Sequence, residues 1–271
     1  MSYLEEVEKI YHYIMNLSEE QLIVYLAYFM IISGLITFVY MTLMKQKATY
    51  GRYGNEALFG NLAIPARMAW FIQETPSLIL PCLALAYYGD NMNLSKVIAF
   101  LMFVGHYWNR TLCYPFLITG GKPTPPHLMF MGVVFCVWNG YIQGFYHVKY
   151  AVFDPDHPRQ LLSQLGIALF FCGMFINIHS DSILRNLRKP GETGYKIPRG
   201  GMFEFVSGAN FFGEILEWTG YAIYCRSIPG LAFAVFTASN IGPRAIHHHE
   251  WYRTKFEDYP KDRHAVIPLL F

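Results

Sequence analysis

Charge is what this chain has least of. Of its 271 residues, 15% are Asp, Glu, Lys or Arg, against about a quarter in an ordinary soluble domain. That shortage, with 54% hydrophobic residues and a mean hydropathy of +0.24, excludes a disordered tail and argues against an ordinary soluble globule. An excess of one sign is missing too. The formal net charge is +2, which leaves no bulk electrostatic basis for binding nucleic acid. Cysteines are few and unpatterned. Cys82, Cys113, Cys136, Cys172 and Cys225 sit in or beside apolar stretches without CxxC spacing, so neither a disulfide frame nor a zinc site is expected. They read as small buried hydrophobes. The basic start of a secretory signal is also absent. The head, MSYLEEVEKIYHYIMNLSEEQ, sets Glu5, Glu6, Glu8, Glu19 and Glu20 against Lys9 alone.

Long apolar runs are present instead. Residues 22–44 carry no charge, and a spanning helix needs about 20 apolar residues. Further apolar stretches lie at 69–88, 96–118, 128–148, 161–180, 204–225 and 228–245. The pattern predicts an all-α polytopic membrane protein with seven transmembrane helices. Basic loop charges mark the cytosolic side. Lys45, Lys47, Arg52 and Arg67 fall in 45–67, and Arg185, Arg188, Lys189, Lys196 and Arg199 in 185–201. The tail after Arg244 holds Arg253, Lys255, Lys261 and Arg263. Seven crossings then place the N-terminus in the lumen and the C-terminus in the cytosol. No linker or repeat divides the chain. Residues 1–21 are read as an acidic lumenal head and 22–271 as a single seven-helix domain with cytosolic loops and tail.

Charged groups at membrane depth need a reason. Glu74, in WFIQETP, reads either as a carboxylate at an interfacial turn before Pro76 or as an acid held in a substrate cavity. Tyr107, Arg110 and Tyr114 share one helical face at i, i+3 and i+7. They either grip a polar ligand or anchor a helix end. Asn177, Asp181, Arg185 and Arg188 form a second polar stripe. Asn210, Glu214 and Glu217 form a third, for which the arginines of the preceding helix are the expected partners. Arg244, His248 and Tyr252 repeat a four-residue step. The run His247, His248, His249 does not predict a metal, because consecutive helical residues point about 100° apart. The loop KPGETGYKIPRGG follows no strand and lacks GxGxxG, so no Rossmann site is expected. Together the stripes imply a cavity that is charged at its mouth and aromatic within.

The segments IPARMAWFIQETPSL, GHYWNRTL, NIHSDSILRNLRKPGETGYKIPRGGMFEFVSGANFFGEILEWTGYA and RAIHHHEWYRTKFEDYPKDRHAVIPLLF resemble the membrane steroid 5α-reductases, the 3-oxo-5α-steroid 4-dehydrogenase family. FLITGGKPTP and RNLRKPGETGYKIPRGG are more similar to its type 1 than its type 2 isoenzyme. The resemblance implies seven helices in the endoplasmic reticulum membrane and NADPH-dependent reduction of the C4–C5 double bond of 3-oxo-Δ4 steroids such as testosterone and progesterone. It implies catalytic roles for Glu74 and Tyr107. It implies cofactor contacts for Arg110, Tyr114, Asn177, Asp181, Arg188, Asn210, Glu214, Arg244, His248 and Tyr252, and a steroid cavity lined by Trp70 and Trp218. The expected partners are the steroid and membrane lipid, with no nucleic acid and no obligate protein partner. The rival readings are a reductase of another lipid double bond (enoyl-CoA, polyprenol or sterol), a membrane methyltransferase using S-adenosylmethionine, and a non-catalytic sterol-binding protein.

Overall fold

In the computed structural model of the protein, the described residues are 16–44, 63–118, 121–188, 192 and 194–270, with Glu6 and His12. The predicted basic residues Lys45, Lys47, Arg52 and Lys189 lie outside them.

The described chain is all-helical. Its helices are α1 (Glu19–Leu43), α2 (Ala66–Tyr88), α3 (Leu94–Trp108), α4 (Tyr114–Leu117), α5 (Pro126–Phe145), α6 (Leu161–Arg185), α7 (Ala209–Cys225) and α8 (Ile228–Lys255). Among the described residues there is no strand, only the isolated bridges Ile64–Thr124 and Val206–His264. Each of the seven apolar stretches holds one long helix. Four segments are long and apolar enough to cross a membrane: Glu19–Leu43, Ala66–Asn91, Pro126–Tyr150 and Leu161–Arg185.

Local sequence sets the ends. Ser18 caps α1 in a capping box with Gln21, which satisfies two N–H groups that no helical carbonyl reaches. The α1 helix therefore begins inside the acidic head. It buries only a narrow stripe, Ile23, Ala27, Met30, Gly34 and Met41, and leaves Phe29, Ile32, Ile36 and Leu43 exposed. A helix apolar all round with so little of it buried is suited to a lipid surround. Glu19 is held at this end by Lys149, at 2.5 Å, and by the hydroxyls of Tyr141 and Tyr150.

The main pairings are α6 with α7, α2 with α5, α1 with α8, and α7 with α8. Glycine permits the first. Gly166 and Gly173 of α6 face Gly220 and Gly213 of α7, so that a Cβ on Gly173 would lie 2.3 Å from the Glu217 nitrogen. Small residues let backbones approach where lipid supplies no hydrophobic drive between helices. An aromatic core centred on Trp218, Phe103, Phe170, Tyr221 and Phe233 fills the bundle. The tail returns to the start of α7, where Ser207 and Gly208 donate to the carbonyls of His264 and Ala265.

Candidate active site

The predicted site residues fall on three levels, and α3 with the π-turn that continues it, Asn109–Cys113, runs through the first two. Tyr107, in the last turn of α3, is 3% exposed. Its ring packs on Phe103, His106 and Trp218 at 4.8, 5.1 and 6.2 Å. Its Oη accepts a hydrogen bond from Asn139 Nδ2 at 3.1 Å. Glu74 reaches the same face of α5: Cys136 Sγ donates to its Oε2 at 3.7 Å, and Gln73 Nε2 to its Oε1 at 3.2 Å. Ser77, one turn along α2, donates to the Cys136 carbonyl at 2.9 Å. Glycine again sets the spacing. A Cβ on Gly140 would lie 2.9 Å from the Pro76 carbonyl oxygen, and one on Gly144 2.6 Å from Pro81 Cα. Glu74 and Tyr107 are thus brought together through α5 rather than by a direct hydrogen bond. Helix α2 runs unbroken through Pro76 and Pro81, so the reading of Glu74 as a residue of an interfacial turn is not met.

The second level is ionic. Arg110 Nη1 donates to Asp181 Oδ2 at 3.2 Å, with both side chains largely buried. The guanidinium sits 4.6 Å from the rings of both Trp70 and Tyr114. Asp181 also accepts from Asn210 Nδ2 at 3.1 Å, and Asn177 Nδ2 donates to the Asn210 carbonyl at 2.9 Å. Arg110 is also the cation that faces Glu214.

Tyr107 bonds toward α5, whereas Arg110 and Tyr114 turn to Asp181 and Trp70, with Glu74 acting on both Tyr107 and Arg110. A π-turn over Asn109–Cys113 joins α3 to α4, and its wider i→i+5 step alters the register of the face. The carboxylates of α7 do not take their cations from α6. That helix ends at Arg185, Arg185 lies 5.8 Å over the Tyr114 ring, and Arg188 lies 5.9 Å over Tyr195. The partners come from the other side: His106 of α3 bonds Glu217, and Arg110, in the π-turn that follows α3, faces Glu214. The His106 Nδ1 to Glu217 Oε1 distance is 2.8 Å, with both residues buried.

The third level is the far end of α8. Arg244 lies 5.0 Å over Phe211, and the His248 ring is 5.6 Å from the same phenyl. Tyr252 is buried and stacks on Tyr259 at 5.4 Å. Trp251 joins this group to Tyr195, 4.8 Å away, and hence to Arg188. His249 bonds to Ser207 Oγ at 2.6 Å, so His248 and His249 turn to different neighbours. Glu204 accepts from the Gly200 N–H at 2.6 Å and faces Arg199 and Arg263 at 3.5 Å. That backbone donor, more than the arginines, holds its carboxyl below the usual range. Gly200 has φ of 90°, a conformation that only glycine adopts without strain.

The two tryptophans separate. Trp218 is fully buried at the Tyr107 level, 4.2 Å from Phe233 and 4.5 Å from His106. Trp70 belongs to the Arg110 level. A cavity of about 500 Å³ opens at the tail between His249, Arg253, Lys261 and Arg263. It shares no lining residue with either level.

Asn139, Gln143 and His106 escaped the sequence reading. The signal was present in VWNGYIQG, where an asparagine and a glutamine stand four residues apart in an apolar run. A buried amide in such a run must find partners, and Tyr107 is one of them.

The family model described as 3-oxo-5-alpha-steroid 4-dehydrogenase matches residues 122–271. The chain is 49% identical over 261 residues to 3-oxo-5-alpha-steroid 4-dehydrogenase 1 of Bos taurus, covering 94% of this chain and 100% of that protein. Identity to the type 1 protein of Homo sapiens is 47% over 259 residues, covering 94% and 98%. Identity to the type 2 protein of Sus scrofa is 48% over 225 residues, covering 82% and 87%. At this identity, over nearly its whole length, the chain belongs to the 3-oxo-5-alpha-steroid 4-dehydrogenase family.

Proposed function

We propose that the protein reduces the C4–C5 double bond of 3-oxo-Δ4 steroids such as testosterone and progesterone, with NADPH as reductant, giving 5α-dihydro steroids. The reaction adds a hydride at C5 and a proton at C4. Between these events negative charge grows on the C3 oxygen, and a donor must already be aimed there. Tyr107 is that donor, and Glu74 orients it or shares its proton. The aromatic wall of Phe103, Trp218 and Phe233 gives the steroid an apolar bed. Trp70 and Trp218 bound the steroid from the two levels.

The second level fits a nicotinamide nucleotide by its chemistry. Asn177, Asn210 and Asp181 offer the donors and acceptors that ribose hydroxyls and a carboxamide need, and Tyr114 and Glu214 flank them. Arg110 supplies the buried positive charge, while Arg188 and Arg244 would hold phosphates, with His248 and Tyr252 beside them. When bound there, NADPH supplies the hydride. The protein's own part is to orient the steroid, exclude water and donate at the C3 oxygen.

In the endoplasmic reticulum membrane all seven long helices cross, with the acidic head lumenal and the tail cytosolic. Support comes from the rod formed by α3, its π-turn and α4, which extends helical structure to Leu117. The observation that carries the reading is the meeting of Glu74 and Tyr107 on one face of α5 in a chain of this family. The test is to make Glu74→Gln and Tyr107→Phe in microsomes and measure NADPH-dependent reduction of progesterone. Each variant is expected to lose about a hundredfold or more in turnover. Near-normal turnover in both overturns the assignment.

A further inference from the structure

Helix α5 carries a ladder that the reaction scheme leaves unused. Asn139 and Gln143, 0% and 1% exposed, stand one turn apart, with buried His147 one turn further. We infer that Asn139 is a positioning residue that fixes which way the Tyr107 hydroxyl points. This rests on the reading of Tyr107 as the donor to the C3 oxygen.

The chain of bonds starts at Pro229, whose carbonyl oxygen can only accept. A Gln143 atom lies 2.7 Å from it. That atom is the amide nitrogen, because two oxygens at this distance would repel. The same Nε2 lies 3.4 Å from Asn139, so the Asn139 atom facing it is the acceptor Oδ1. The other end of the Asn139 amide is then Nδ2, which meets Tyr107 Oη at 3.1 Å. An amide NH₂ donates and never accepts, and a phenol has one hydrogen. Tyr107 therefore accepts from α5 and must turn its own hydrogen away from it. Ser77 also lies against Tyr107, with its hydrogen committed to the Cys136 carbonyl.

Two consequences follow for the chemistry. The hydroxyl is pre-oriented as a donor, so no reorientation is needed as the enolate oxygen gains charge. The Asn139 N–H also supports the phenol oxygen while its proton moves toward the steroid. His147 anchors the far end of the ladder, with Nδ1 at 2.9 Å from the Gln143 carbonyl and Nε2 at 2.8 Å from Ser227 Oγ. Asparagine and glutamine do this without placing a net charge beside the phenol.

The test is a double-mutant cycle in the full-length protein in membranes, with Asn139→Leu, Tyr107→Phe and the pair. Steady-state constants are measured for progesterone and NADPH. Asn139→Leu alone is expected to lower kcat by about tenfold or more while both KM values move less than about threefold. In the Tyr107→Phe background the same change is expected to have less than about a twofold effect, because the hydroxyl it positions is gone. If Asn139→Leu costs nothing, or costs the same factor in both backgrounds, the positioning role is overturned and the role of Tyr107 stands. If Tyr107→Phe is itself near wild type, the underlying reading falls and this proposal with it. Should Asn139→Leu fail to accumulate in the membrane, Gln143→Met is read in the same cycle. It frees the Asn139 amide to rotate, so its loss of kcat is expected to vanish in the Tyr107→Phe background, and a loss that persists there overturns the proposal.

Discussion

Tyr107 and Arg110 are three residues apart on one helical rod, yet they live in different solvents. Around Tyr107 the protein offers aromatic rings, one amide and one carboxyl: Phe103, Trp218, Asn139 and Glu74. Around Arg110 it offers Asp181, Glu214 and two rings stacked on the guanidinium. The π-turn at Asn109–Cys113 marks the boundary between them. The contrast separates two tasks. A donor to a neutral ketone needs an apolar wall that excludes water and a neighbouring group to orient it, the parts proposed for Phe103, Trp218 and Glu74. Holding an anionic nucleotide needs buried positive charge, and that charge needs carboxylates while the nucleotide is away.

The comparison can be broken most sharply at Tyr107. Tyr107→Phe is expected to lower kcat for progesterone by about a hundredfold to a thousandfold. The KM for NADPH is expected to shift less than about threefold. A change of cofactor KM as large as the change in kcat means that the two levels are not separate. Arg110→Met comes next. It strands Asp181 and Glu214 without their cation, and removing one partner of a buried pair destabilises by about 3–5 kcal/mol. Thermal inactivation in membranes reads this, and the midpoint is expected to fall well below that of Tyr107→Phe. Arg188→Ala is smaller, because Arg188 lies beyond the end of α6: an increase of about tenfold in KM for NADPH, with kcat held within about threefold. Equal loss of kcat would assign Arg188 to the chemistry rather than to the phosphates.

The smallest effect concerns the tail. Glu204 has its carboxyl held below the usual range by the Gly200 N–H and by Arg263 and Arg199. A lowered folded-state pKa contributes stability above the ordinary carboxylate range, and that contribution is lost as pH falls through the folded value. Glu204 is 44% exposed in its side chain, so the term is modest. Glu204→Gln is expected to lower the thermal midpoint slightly at neutral pH and to leave it unchanged at strongly acid pH. An equal deficit at both assigns the effect to packing.

The fold was legible where hydropathy alone decides it. Each apolar stretch became a helix, because a run such as 22–44 can hydrogen-bond its backbone in lipid only by coiling. The stripes on α6 and α7 were legible as well. Asn177, Asp181, Asn210 and Glu214 lie at helical spacing on helices with no interruption, and they meet. The relation of Tyr107 to Arg110 was not legible, since a π-turn leaves no mark in residue type. The partners of the α7 carboxylates were also hidden. Pairing of Glu217 with His106 depends on how α3 packs against α7, which no local pattern reports. Asn139 was visible but mute, because its meaning lies in the atom of Tyr107 that it touches.

On the proposed reading, reduced nicotinamide delivers hydride to C5 while Tyr107 holds the C3 oxygen. The direct measurement is incubation of membranes containing the protein with testosterone and NADPH deuterated on the transferred position, followed by product identification. A 5α-dihydro product with deuterium at C5 alone is expected, formed about a hundredfold or more slowly by Tyr107→Phe. Deuterium at another carbon, or full product formation by Tyr107→Phe, contradicts it.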